Sequence, residues 1–121
     1  MVKALFDTNI LIDFLNGVAQ ARDEIGRYEG RSISIITWME VLVGADKDVE
    51  ALTRDYLNTF ELVTIDDKVA DRAVALRRTH GMRLPDAIVW ASAEVHNSLL
   101  VTRNTKDFGH DSPGIRVPYR L

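Results

Sequence analysis

The sequence predicts an α/β fold: a central, mostly parallel sheet of four or five strands, flanked by helices in three layers. Short apolar runs of strand type alternate with helical patterns along the whole chain. No low-complexity stretch, repeat or linker interrupts them, and 121 residues suit one domain, so 1–121 is read as a single unit. Acidic residues stand just beyond the apolar runs, where an open parallel sheet binds its ligands.

The elements follow in order. Val2 to Phe6 reads as the first strand. Ile10, Leu11, Phe14 and Leu15 form a helical stripe that Gly17 ends, and Val18, Ala21, Ile25 and Tyr28 space a second amphipathic helix. Ser32 to Ile36 is a β-branched run that predicts a buried strand, with a helix beginning at Thr37 and reaching Gly44. Val49, Leu52, Tyr56 and Phe60 make the next apolar face, and Glu50 and Arg54 pair one turn apart beside it. Leu62 to Ile65 is a short strand. Asp66 or Asp67 then caps a helix carrying Val69, Ala73 and Leu76, stopped at His80-Gly81. Pro85 opens a helix whose Ala87, Ala91 and Ala93 suit close packing on a sheet. Leu99 to Thr102 is a buried strand, and Ile115-Arg116-Val117 adds an edge strand.

Composition removes several classes of function. There is no cysteine, hence no zinc ribbon, thiol nucleophile or disulfide scaffold. The net charge of −3 argues against a module that coats phosphates by diffuse attraction, but not against an enzyme that meets phosphate through bound cations. No apolar run has the length of a membrane span. Met1-Val2-Lys3 runs directly into Ala4-Leu5-Phe6 and leaves no room for a signal peptide, so a cytoplasmic protein is expected.

The acids carry the chemistry. Asp7 follows the first strand; it stands either as a helix-start residue or as a ligand in the crevice beyond the strand ends. Glu40 completes a Thr37-x-x-Glu40 pattern, so a capping box and a crevice-facing role compete for its carboxylate. Asp86 follows Pro85 in a first helical turn, an ordinary start signal as well as a site position. Asn104 and Asp107 lie after the last strong strand, as turn residues or as oxygen ligands. Gathered carboxylates repel by roughly 4 kcal/mol per pair at close range. Such a cluster implies a cation, and all-oxygen donors suit Mg²⁺ or Mn²⁺ rather than zinc. His80 and His96 fall at helix ends and His110 in the tail loop, so paired-histidine acid–base chemistry has little support. There is no GxxxxGK[ST] phosphate loop, and Trp38 and Trp90 read as core or interface.

Taken together, four segments resemble the PIN-domain family, and within it the VapC-type toxin ribonucleases of toxin–antitoxin pairs. They are Leu5-Phe6-Asp7-Thr8-Asn9-Ile10-Leu11-Ile12, Ser34 through Gly44 around Thr37-Trp38-Met39-Glu40, Leu84-Pro85-Asp86-Ala87, and Leu100 through Phe108 around Thr102-Arg103-Asn104-Thr105-Lys106-Asp107. The resemblance spans nearly the whole chain. It implies a Mg²⁺- or Mn²⁺-dependent endoribonuclease cutting structured RNA with a metal-activated water, with Asp7, Glu40 and Asp86 as the metal-binding acids. Many relatives carry Asp where this chain has Asn104, others an acid where Asp107 stands; position in the motif favours Asn104. Thr8 and Thr102 would support the metal ligands, and Arg83, Arg103 and Lys106 would grip RNA phosphates. A short cognate antitoxin and a homodimer are implied as partners, the antitoxin meeting apolar surface at Ile12, Phe14, Tyr28 and Trp38. The competing expectation is a catalytically weakened PIN domain that only binds RNA or protein, to which Asn104 lends support.

Overall fold

In the computed structural model, which describes residues 1–108 and 112–121, five parallel strands form one sheet: β1 (Lys3–Phe6), β2 (Gly30–Ser34), β3 (Glu61–Val63), β4 (Leu99–Val101) and β5 (Ile115–Arg116). Their order is β3-β2-β1-β4-β5. The chain builds outward from β1 to β3 on one side, then returns to lay β4 and β5 on the other. The reversal falls between β1 and β4, paired in register from Ala4–Leu99 to Phe6–Val101. A crevice opens at such a switch point, beyond the carboxyl ends of the two strands.

Among the described residues six helices accompany the sheet: α1 (Thr8–Leu15), α2 (Ala19–Gly26), α3 (Ile35–Gly44), α4 (Glu50–Leu57), α5 (Asp67–His80) and α6 (Leu84–Val95). The three-layer arrangement follows from the alternation of side chains along β1. Ala4 and Phe6 face one core with Ile10, Leu11, Ala21, Ile25 and Leu57, whereas Leu5 faces the other with Val69, Ala73, Leu76 and Val89. Phe6 is fully buried, its ring meeting Tyr28 and Phe60 edge-on at 5.8 and 5.9 Å. Helix α3 touches α1 and α4 on one side and α6 on the other, so it bridges the two layers.

Several boundaries differ from the sequence expectation, each for a local reason. The β-branched run 32–36 is not all strand. Ser34 is extended, and its side chain accepts from the Ile36 backbone N–H at 3.1 Å, so the helix starts at Ile35, two residues before Thr37. Thr37 therefore sits inside the first turn, fully buried, and forms no capping box with Glu40. The strands expected at 62–65, 99–102 and 115–117 are each shorter or shifted by one or two residues. Phe60 lies beyond the end of α4 yet remains buried.

Other signals appear as expected. Asp66 caps α5 through a 2.9 Å bond from Val69 N–H, and Gly81 closes it in the left-handed conformation. The Glu50–Arg54 pair forms at 3.0 Å. His80 ends α5 against the Trp90 ring and His96 caps α6, while His110 lies outside the described residues. No helix among the described residues is long and apolar enough to cross a membrane.

Candidate active site

The site grows from the end of β1. Asp7 continues the strand pairing by donating its N–H to the Val101 carbonyl at 2.9 Å, then turns the chain into α1 as its N-cap. Its Oδ1 accepts from Thr8 N–H at 2.8 Å, and its Oδ2 accepts from the Thr102 hydroxyl at 2.8 Å and from Asn9 Nδ2 at 3.1 Å. The helix-start and crevice positions are thus one place. A cap normally rests at the surface, but Asp7 is only 6 % exposed. Burial pushes its pKa up to about 6, against the Thr102 and Thr8 hydrogen bonds that lower it, and the nearby charges of Asp86 and Glu40 raise it further.

Asp86 is brought to the same crevice by the first turn of α6. Its carboxylate is largely covered and meets the Arg83 guanidinium at 3.2 Å. Burial raises its pKa, Arg83 opposes that, and Asp107 and Glu40 add to it. Glu40 projects from α3, exposed, and accepts a 2.7 Å bond from the Thr8 hydroxyl, which also lies 3.0 Å from the Thr37 hydroxyl. The charges of Asp86 and Glu40 act on Asp7, and those of Asp107 and Glu40 on Asp86, so acids from four separated segments share one electrostatic neighbourhood.

In the loop after β4, Asn104 does not offer a free carboxamide. Its Oδ1 accepts from the backbone N–H groups of Lys106 and Asp107 at 3.1 and 3.2 Å, and its Nδ2 donates to Asp107 Oδ2 at 2.8 Å. Asn104 shapes the turn that presents Asp107. Thr102, fully buried, spans Asp7 and the Asn104 backbone N–H, which it meets at 3.0 Å. Arg103 is engaged within the protein: its guanidinium makes two bonds to the buried Asp13, at 2.6 and 3.0 Å. Of the expected phosphate-gripping cations, Arg83 stands beside Asp86 and Lys106 is exposed on the loop.

Two residues of this network, Asn9 and Asp13, carry no site role in the sequence expectation, although Asn9 stands within the first motif. Asn9 bonds residues more than ninety positions away, so no local pattern marks it. Asp13 did carry a signal: an acid within the apolar Ile10-Leu11-Ile12-Asp13-Phe14 run.

Among the described residues, no three acidic or imidazole side chains stand together as a ready-made metal-binding group. Each acid has its own hydrogen-bond donor instead, Thr102 and Asn9 for Asp7, Thr8 for Glu40 and Arg83 for Asp86. The donor set nonetheless fits a hard divalent cation, because Mg²⁺ keeps several waters and needs only one or two protein carboxylates. Asp7 Oδ1 accepts a single bond, which leaves it acceptor capacity, and the neighbouring carboxylates add to the burial that raises the pKa of Asp7 and of Asp86, a repulsion that a cation relieves.

Residues 4–110 match the PIN domain family. The chain belongs to that family. No curated protein matches it. Among solved structures, this PIN domain is similar to a chain of a toxin–antitoxin complex from Klebsiella pneumoniae, with 47 % identity, a TM-score of 0.93, and coverage of 98 % of this chain and 100 % of that one. It also shares its fold with a chain of the DNA-bound VapBC of Salmonella typhimurium (24 % identity, TM-score 0.77, 96 % of each chain). FitAcB of Neisseria gonorrhoeae is a further match in fold (21 % identity, TM-score 0.78, 98 % of this chain and 99 % of that one).

Proposed function

We propose that this PIN domain is a Mg²⁺- or Mn²⁺-dependent endoribonuclease and the toxin of a toxin–antitoxin pair, acting in the cytoplasm on structured RNA. The observation that carries the reading is Asp7: a carboxylate at the sheet's switch point, buried, perturbed toward about 6, and facing the charges of Asp86 and Glu40. Membership of the PIN family and the 47 % identity to a chain of a toxin–antitoxin complex support the biological role. A short cognate antitoxin and a second copy of the chain, forming a homodimer, are the proposed partners.

Asp7 and Asp86 would hold the cation, with Asp107 as the fourth acid and Asn104 orienting it. When bound, the ion supplies Lewis acidity toward the scissile phosphate and lowers the pKa of water for in-line attack. Glu40, fixed by Thr8, accepts a proton from the attacking water or orients it. Arg83 and Lys106 stand at the rim to contact RNA phosphates; Arg103, committed to Asp13, takes no part in that. A weakened, binding-only PIN domain gains support from Asn104, but Asp107 three residues later supplies the charge that Asn104 lacks.

Purified protein should cut RNA only when Mg²⁺ or Mn²⁺ is added, leaving 5′-phosphate and 3′-hydroxyl ends, because water rather than the ribose 2′-hydroxyl attacks. Cyclic 2′,3′-phosphate products, or full activity in chelator, would refute the mechanism.

A further inference from the structure

We propose that Asn9 is a positioning residue for the Asp7 carboxylate, and that a clamp closed by Arg103 and Tyr119 on the buried Asp13 holds Asn9, so that the C-terminal tail governs the metal-binding acid. The inference rests on the metal-dependent reading above and adds to it residues outside the acid set.

The amide of Asn9 joins the two sides of the switch point. Its Nδ2 donates to Asp7 Oδ2 at 3.1 Å and lies 3.3 Å from the Thr102 hydroxyl, while its Oδ1 accepts from Arg103 N–H at 3.0 Å. A carboxamide has one donating and one accepting end. Fixing the oxygen on Arg103 N–H therefore aims the –NH₂ at the acid. Were the amide to turn, it would set an oxygen against a carboxylate oxygen.

What fixes the Arg103 backbone is its own side chain. The guanidinium grips Asp13 in bidentate fashion at 2.6 and 3.0 Å, and the Tyr119 hydroxyl donates to Asp13 Oδ2 at 2.8 Å. Asp13 is 5 % exposed; burial opposes its charge, yet the hydrogen bonds from Arg103 and Tyr119 hold its carboxyl below the ordinary range. A bidentate arginine pair of this kind is directional as well as strong. The chain of contacts runs from the tail through α1 and the end of β4 to Asp7.

The fold supplies its own control. Glu24, 4 % exposed, is held in the same way by Arg116 at 2.6 and 2.9 Å and by the Tyr28 hydroxyl at 2.8 Å, but among the described residues these side chains make no bond to Asp7, Asn9, Thr102 or Arg103; the cluster reaches them only through the strand-ladder bond from Thr102 N–H to the Arg116 carbonyl at 3.0 Å. Removing the Glu24 charge leaves that ladder bond in place, because β4 and β5 pair through their backbones, so it perturbs stability and keeps the side-chain bonds to Asp7.

The test is calorimetric titration of the full chain with Mn²⁺ alone, paired with thermal melts and with kinetics on an RNA substrate. Asn9→Ala should weaken Mn²⁺ binding about tenfold or more, as loss of a partner behind a metal ligand does. With saturating Mn²⁺ its kcat should fall while KM for RNA holds. Tyr119→Phe should weaken Mn²⁺ in the same direction by a smaller factor, and it decides the matter if Asn9→Ala fails to fold. Glu24→Gln should lower Tm and leave Mn²⁺ affinity at the wild-type value. Wild-type Mn²⁺ affinity in both Asn9→Ala and Tyr119→Phe overturns the proposal, as does an equal loss in Tyr119→Phe and Glu24→Gln. If the wild-type chain itself binds no Mn²⁺, the metal-dependent reading falls with it; if only the variants behave like wild type, the positioning role alone falls.

Discussion

A buried carboxylate resists ionisation, and Asp7 is such a group. Its pKa rises from 3.8 to about 6, so the folded state takes up its proton more readily than the unfolded chain does. The stabilising contribution is therefore complete below about pH 4 and is lost as pH rises through 6, an effect of at most about 3 kcal/mol. Asp7→Asn should remove this dependence. In chelator the variant should be no less stable than wild type at neutral pH, and the difference between the two stability–pH curves should vanish toward pH 4. Chemical denaturation across that range checks it; a large loss of stability at neutral pH would show that the cap outweighs the buried charge. Metal binding runs the other way, since it needs the ionised acid: Mn²⁺ affinity should drop as pH falls below 6. The loop acids give a second test. Asp107→Asn should lower kcat/KM on RNA by about tenfold to a hundredfold, and adding Asn104→Asp should not restore it, because the residue-104 oxygen is bound to two backbone N–H groups. Rescue by the double variant would assign the fourth position to residue 104.

At the level of elements, the turn between α5 and α6 sets where Asp86 stands. Gly81 has φ +68, and a Cβ built there meets no atom within 4 Å, so Gly81→Ala is penalised by the backbone alone. The cost should be about 1 kcal/mol, a drop of roughly 4 °C in Tm, with a further loss of metal affinity if the Arg83–Asp86 corner shifts. The same turn shows what sequence patterns could and could not reveal. Asp66, the Val69, Ala73 and Leu76 stripe and the Gly81 stop are local signals, and helix α5 formed where they placed it. At Ser32 to Ile36 two local signals conflicted. The β-branched run argued for strand through Ile36, but Ser34 won by capping Ile36 N–H, and α3 began early. That shift decided the fate of Thr37 and Glu40. The capping box was a pattern without its geometry, and Glu40 went to Thr8 across 32 residues, a partner that no window of sequence displays. The positions of the acids were legible because each stands next to a strand end or helix start. Thr102 was named as their support by the family resemblance, but Asn9 and Asp13 were not, because they meet Thr102 and Arg103 only when β1 and β4 pair.

For the whole molecule, the expected apolar surface has moved. Tyr28 is buried against Phe6, Phe14 stacks on Tyr56 at 4.5 Å, and Trp38 lies beneath Arg54 at 5.2 Å, so these three serve the first core or its rim. Ile12 alone of the four lines an open groove of about 440 Å³ among α1, α3 and α4, together with Leu15, Val41, Val49 and Leu52. Leu52 is 71 % exposed, and a side chain so placed contributes little to folding, which makes it a clean probe of binding. Because a chain 47 % identical to this one was solved within a toxin–antitoxin complex, the proposed occupant is an apolar helix of the cognate antitoxin, the partner whose basic residue could also reach the acidic crevice. Expression of the chain alone should arrest growth, Asp7→Ala should be harmless, and co-expression of the neighbouring antitoxin gene should restore growth. Leu52→Glu should keep the ribonuclease activity and the melting temperature of wild type while weakening antitoxin affinity at least tenfold, so that growth arrest persists despite co-expression. Rescue of Leu52→Glu at wild-type antitoxin levels would place the antitoxin elsewhere, and a harmless wild-type chain in a host lacking the antitoxin would remove the toxin role while leaving the nuclease chemistry to stand on its own assay.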